Sequence, residues 1–301
     1  FPWADRLVVG AHAYLPAAGS PGPGATGSGR IARFAEADHY RPLRAALGEV
    51  SAALRDAGHR SEVLVDDNRL VDRAAAVRAG VAWWGRSTMA LVPGAGPWVL
   101  LGSVVTDAPL PVSTPMDRSC GTCTACLPAC PTGAIIAPGV LDARRCLARW
   151  AQAPGWIPRE LRVAMGDRLY GCDECLDACP PGGRLVEQGT ASAGRVDVVE
   201  LLGQDDAELA SRFARFYVPN NEMRHLRRNA LVVLGNSGDR ALVPVVARHG
   251  SDPDPLVRGH AAWALGRLGG DEARLALTAL LVDPDAMVRE EAAAALAGTL
   301  T

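Results

Sequence analysis

Eight cysteines lie between Cys120 and Cys179, in two runs that each end in Cys-Pro, and this arrangement constrains the chain more than any other feature. The first run is Cys120-x2-Cys123-x2-Cys126-x3-Cys130-Pro131. The second is Cys172-x2-Cys175-x3-Cys179-Pro180, with Cys146 between the two. Three thiolates on one tight turn can face a single cube of iron and sulfide, whereas the fourth, redirected by its proline, must serve another. Crossing the runs gives one 4Fe-4S cluster on Cys120, Cys123, Cys126 and Cys179 and a second on Cys130, Cys146, Cys172 and Cys175, with no thiol left over. Two four-cysteine zinc sites are the alternative, but zinc does not require a full run answered by a shorter one that also ends in Cys-Pro. Cysteines this closely spaced read as ligands and not as disulfides, which are rare in the cytosol.

The 301 residues allow more than one core, and three segments are expected: an α/β domain over 1–114, a double-cluster ferredoxin-like domain over 115–195 and HEAT-like helical repeats over 196–301. The fold class expected is α+β, multidomain. In the first segment, apolar stretches (Leu7 to Val9, Glu62 to Val65, Trp98 to Val105) alternate with helical patterns at His39 to Ala57 and Val71 to Ala79. Pro16 to Gly29, rich in Gly, Pro and Ser, reads as an exposed loop. The middle segment has little apolar periodicity beyond a helical stretch at Leu141 to Trp150, so metal coordination is expected to organise it. In the third, Arg227, Arg258 and Arg289 recur at a spacing of about 31 residues on similar helices, with Asp-Pro-Asp turns before the last two.

Charge excludes little: the net of −2 gives no global footprint for nucleic acid, so any RNA contact must be local. The densest basic stretch holds Arg212, Arg215, Arg224, His225, Arg227 and Arg228, of which Arg224, Arg227 and Arg228 are the expected RNA contacts. No apolar run approaches the ~18 residues of a membrane span, and the opening residues lack a signal peptide's basic start, so a cytosolic chain is expected. Phe1 in place of Met, followed almost at once by an apolar strand, leads us to expect that sequence N-terminal to Phe1 is missing.

The stretches Cys120-Gly121-Thr122-Cys123-Thr124-Ala125-Cys126, Cys130-Pro131-Thr132-Gly133-Ala134-Ile135, Leu141 to Cys146 and Tyr170 to Cys175 resemble the epoxyqueuosine reductases, cobalamin-dependent relatives of the reductive dehalogenases. Upstream, Val65-Asp66, Arg73-Ala74 and Ala79-Gly80-Val81-Ala82-Trp83-Trp84-Gly85 resemble that family's cobalamin-site strand, helix and turn. Downstream, Leu226 to Ala230 and Leu234-Gly235-Asn236 resemble its helical tail. The resemblance implies reduction of epoxyqueuosine to queuosine at the wobble position of tRNA, with cobalamin and two 4Fe-4S clusters as cofactors. It also implies Asp66 as proton donor, and corrin contacts from Asp66, Arg86, Thr88, Ala90, Leu101, Asp173 and Glu174. A buried Asp66 would have its pKa raised by desolvation and so could stay protonated. Its bland reading is a turn or cap residue before Val71, and Asp67 beside it reads as a turn acid. A flavodoxin or ferredoxin system is the expected electron donor, and the chain is expected to be monomeric.

Arg86-Ser87, Val77, Ser103, Ala148 to Ala153 and Pro181-Gly182 depart from the family's pattern, so the cofactors are better specified than the substrate. A cobalamin and iron–sulfur reductase acting on a small molecule, and a ferredoxin-type electron carrier with a helical docking tail, remain open at this point.

Overall fold

A computed structural model describes residues 1–14, 26–187 and 194–299. The chain packs as two compact units, each assembled from several stretches of sequence. One holds Phe1–Ser20, Glu36–Asp142 and Asp173–Ser192, the other Pro21–Ala35, Ala143–Cys172 and Ala193–Thr301. The cysteine-bearing segment is therefore divided between them.

The first unit is built on a three-stranded antiparallel sheet with Val99–Thr106 in the centre, flanked by Arg6–Ala13 and Ser61–Leu64. The central strand is buried along nearly its whole length, because helices cover both faces. On one face lies Tyr40–Asp56, whose Leu43 and Leu47 are buried. Leu47 needs the glycines beneath it: a Cβ on Gly102 would sit 2.7 Å from its Cδ1. By strand alternation Leu101 turns to the other face, where it packs with Ala76 of the helix Asp72–Arg78 and with Ala82 and Ala90. Two hairpins complete what is needed for the site, Trp83–Trp84 with Ala90–Leu91 and Ile135–Ala137 with Val140–Leu141.

In the second unit, Ser28–Ile31 pairs in parallel with Arg168–Tyr170 and antiparallel with Arg195–Asp197. The expected exposed loop at Pro16 to Gly29 is thus corrected at its end, where Ser28 and Gly29 enter a strand; its residues 16–25 lie outside the described residues. Gly29 is required there, since a Cβ would meet Val198 at 2.7 Å and Leu169 at 2.9 Å. The expected helix over Leu141 to Trp150 is also corrected. The chain runs from the strand Val140–Leu141 through a single turn, Ala143–Arg145, to the helix Leu147–Gln152, because Cys146 takes an extended backbone (φ −75°, ψ 121°).

The helical repeat is present as the periodicity predicts. Arg224–Ser237, Pro255–Leu268 and Ala286–Ala297 begin 31 residues apart, and Arg227, Arg258 and Arg289 occupy the same position in each. Asp254 and Asp285 cap their helices, accepting from Leu256 N and Met287 N. The faces that stack are apolar around fully buried Trp263.

Candidate functional site

The first cysteine run is shaped by its backbone. Cys123 N donates to Cys120 O, Cys130 N to Leu127 O and Gly133 N to Cys130 O, with Gly121 (φ 54°) and Gly133 (φ 57°) in the left-handed region that lets the turns close. After Cys179, two N–H groups, of Gly182 and Gly183, converge on its carbonyl. No disulfide joins the eight cysteines. Burial pushes the Cys179 thiol up to about 11, and the neighbouring charges that add to the rise are those of Cys120, Cys126 and Cys123. Cys179 thus feels the three thiols of the first run, as crossing the runs leads one to expect. At Cys130 burial also opposes ionisation, but N–H groups from Thr132, Ala134 and Ile135 outweigh it and hold the thiol below its ordinary value. The Ala134 N–H reaches the sulfur at 3.1 Å. Cys175 belongs to the same unit, while Cys146 and Cys172 lie in the other.

Asp66 follows the strand Ser61–Leu64 and has φ 56°, and Thr88, on the turn between Trp84 and Ala90, has φ 68°. Non-glycine residues in this region carry strain that concentrates at functional sites. The helix that follows the Asp66 loop is tied to the Thr88 turn, since Arg73 Nη1 donates to Thr88 O at 2.8 Å. Asp66 is exposed, which corrects the expectation of a buried carboxyl. Asp67 is the turn acid expected: it accepts from Arg69 N and its guanidinium, which hold its carboxyl well below the usual range.

The carboxyl that burial does raise is that of Asp72, pushed up to about 6 by desolvation and then by the charges of Asp66 and Asp67. Its Oδ1 is buried with no hydrogen-bond partner. Tyr40 is pushed up to about 12 by burial and by the charges of Asp66 and Asp72. Sequence reasoning missed both residues. An acid at a helix start reads as a partner for the helix dipole; the only signal to the contrary was its closeness in sequence to Asp66.

The remaining expected corrin contacts divide. Arg86 does not extend into solvent: its Nη2 donates to Gly121 O at 2.6 Å, inside the Cys120–Cys123 turn. Thr88 is buried. The side chains of Ala90 and Leu101 are occupied in the small core with Ala76 and Ala82, so at Ala90 only the backbone is available. Asp173 precedes the short helix Glu174–Asp177 and its carbonyl accepts from Leu176 N and Asp177 N. Of the tryptophan pair, Trp83 is buried and Trp84 exposed.

Of the expected RNA-contacting arginines, Arg228 is corrected by its burial. Arg228 is 0% exposed, and its guanidinium donates to the carbonyls of Ala153, Gly155 and Trp150 and to Asn229 Oδ1. Arg227 donates to Gln204 O and pairs with Asp206. Its repeat equivalents do the same kind of work, Arg258 on the carbonyls of Asp252 and Pro253 and Arg289 on those of Asp283 and Pro284. Arg224 is held by Glu222 and Asp254. Arg224 and Arg227 line a cavity of about 820 Å³ that also presents Asp205, Asp206, Glu222, Asp252 and Asp254.

The comparisons agree with this geometry. A 4Fe-4S double cluster binding domain matches residues 119–182, which contain all eight cysteines, and HEAT repeats match 220–297. An epoxyqueuosine reductase of Bacillus subtilis is 33% identical over 282 residues, covering 89% of this chain and 72% of that protein. The chain belongs to the epoxyqueuosine reductase family. A family member from Bacillus anthracis is 34% identical over 78% of this chain, which spans 64% of that relative's length. Among solved structures, a selenomethionine-labelled epoxyqueuosine reductase superposes with a TM-score of 0.90 at 30% identity, over 99% of this chain and 83% of the other. One with an epoxyqueuosine-modified tRNA-Tyr stem loop also gives 0.90 at 30%, over 100% and 84%. The chain carries the family's double iron–sulfur domain and helical repeats. No helix among the described residues is long and apolar enough to cross a membrane.

Proposed function

We propose that this chain reduces epoxyqueuosine to queuosine within tRNA, using two 4Fe-4S clusters and cobalamin, in the cytoplasm. What supports the reading is the double-cluster match over residues 119–182, with the first cysteine run and Cys179 in the same unit as the strained loop that presents Asp66. Cys130, Cys146, Cys172 and Cys175 then remain for the second cluster.

Converting an epoxide to an alkene takes two electrons and two protons and releases the oxygen as water. Clusters deliver electrons singly, and cobalamin, when bound, supplies the reducing centre at the epoxide carbon. The chain's own residues must bring protons to the departing oxygen. Asp66 is the proposed donor at its carboxyl oxygen, and its exposed position suits a group that meets a substrate. A solved Bacillus subtilis relative is described with its catalytic aspartate loop swung out of the active site, and the loop bearing Asp66 is the proposed equivalent. The backbone of Thr88 and Ala90 and the loop at Asp173 and Glu174 are the proposed corrin contacts. The buried, partnerless Oδ1 of Asp72 near Asp66 supports a polar ligand at this end of the sheet. A small redox protein of the flavodoxin or ferredoxin class is the proposed donor, acting on a monomer.

One observation favours a second reading, a reductase of the same architecture with a small substrate: the three arginines expected to grip RNA are all consumed in structural bonds. Anaerobic reconstitution with iron, sulfide and cobalamin, followed by parallel assays on modified tRNA and on free epoxyqueuosine nucleoside, separates the two. Turnover of tRNA alone supports the first reading; turnover of the nucleoside at an equal rate supports the second.

A further inference from the structure

Arg86 sits on the turn between Trp83–Trp84 and Ala90–Leu91 and is held from two sides. Its carbonyl accepts from Gly139 N at 2.8 Å, on the hairpin that follows Cys130. Its guanidinium reaches the carbonyl of Gly121, midway between the ligands Cys120 and Cys123. The guanidinium charge is thereby held against the turn that carries two of the cluster cysteines. Arginine cannot lose this charge in a protein, and the cluster it faces becomes more anionic by one charge when it accepts one electron, with no proton taken up. A fixed cation beside it stabilises the reduced form over the oxidised form.

We propose that Arg86 is a potential-setting residue, which raises the reduction potential of the cluster on Cys120, Cys123, Cys126 and Cys179 and so makes that cluster the preferred holder of the incoming electron. This rests on the double-cluster reading. It assigns Arg86 to the iron–sulfur side of the site instead of to the corrin, and gives a role to a residue that departs from the family's usual pattern.

The test is an anaerobic redox titration of the reconstituted full chain, followed by EPR, for wild type, Arg86→Gln and Arg86→Lys, with iron and sulfide content measured first. Glutamine is neutral and polar, so Arg86→Gln removes the charge without placing an apolar group at the turn. One of the two couples should move to more negative potential in Arg86→Gln, and it should be the couple missing from Cys179→Ala. Because Arg86 is half-buried, the shift should shrink at high ionic strength. Arg86→Lys, which keeps the charge, should leave both couples near their wild-type values. Unmoved couples in Arg86→Gln at full iron content would overturn the proposal while sparing the double-cluster reading; a wild-type chain that binds no cluster would overturn both. Should Arg86→Gln assemble poorly, Arg86→Met decides: a negative shift of that one couple supports the proposal, and unmoved couples overturn it.

Discussion

Trp98 Nε1 donates a 3.0 Å hydrogen bond to the carbonyl of Gly182, just past Cys179-Pro180, and the indole is fully buried. The approach is close enough that a Cβ on Gly182 would lie 2.9 Å from that nitrogen. The sheet of the α/β portion thereby anchors the segment that carries the distal cysteine.

Trp98→Phe removes the donor and leaves a buried carbonyl unsatisfied, at a cost of about 1–3 kcal/mol. The loss should concentrate on the cluster bound by Cys179. Chelator-driven bleaching should become biphasic, with one phase faster than in wild type and the other unchanged; uniform acceleration would contradict this placement.

Cys179→Ala tests the crossed pairing. It should remove about half of the iron and leave a single couple in redox titration, since the other quartet keeps its four ligands. Cys130→Ala should remove the complementary couple. Cys123→Ala should lose the same couple as Cys179→Ala; if it loses instead the couple that Cys130→Ala loses, the runs are not crossed.

Asp72 predicts a pH-dependent stability. Its folded-state value is raised to about 6 from an ordinary 3.8, so between these values the folded chain binds more protons than the unfolded one and stability falls as pH rises. The contribution is fully present below the unfolded value and lost above pH 6. Asp72→Asn should flatten that slope in thermal melts between pH 4 and 6.5; an unchanged slope would place the titrating group elsewhere.

The buried pair of Arg162 and Glu291 makes a further prediction. Glu291 accepts from Arg162 Nη1 at 2.9 Å and Nη2 at 2.8 Å, with both side chains 2% exposed. Glu291→Gln leaves a buried guanidinium without its counter-charge and should cost about 3–5 kcal/mol. A midpoint of denaturant unfolding close to wild type would show that the pair is dispensable.

The sequence is most legible where chemistry dictates spacing. Cysteine ligands must recur at fixed intervals, so a double-cluster domain could be read directly, and the strands and helices at Leu7, Glu62, Trp98, His39 and Val71 fall where apolar periodicity put them. Helical repeats were equally plain, because Arg227, Arg258 and Arg289 keep one place on their helices. The same arginines show what composition hides: a basic cluster in sequence carries no mark of burial, and Arg227 and Arg228 turn inward to satisfy carbonyls of turns far away in the chain. Asp72 and Tyr40 were illegible for a related reason, since their environment comes from a loop and a helix start that meet only in three dimensions. The interleaving of the two units leaves no local signal, because Ser28–Ile31 is a strand only by virtue of partners more than a hundred residues later.

The most direct test of the account is a single-turnover assay on tRNA bearing epoxyqueuosine, comparing anaerobically reconstituted wild type with Asp66→Asn. The account predicts that wild type forms queuosine while Asp66→Asn forms none, with iron content, bound corrin and tRNA affinity unchanged. Queuosine formation by Asp66→Asn at the wild-type rate, or no conversion by fully loaded wild type, would contradict it.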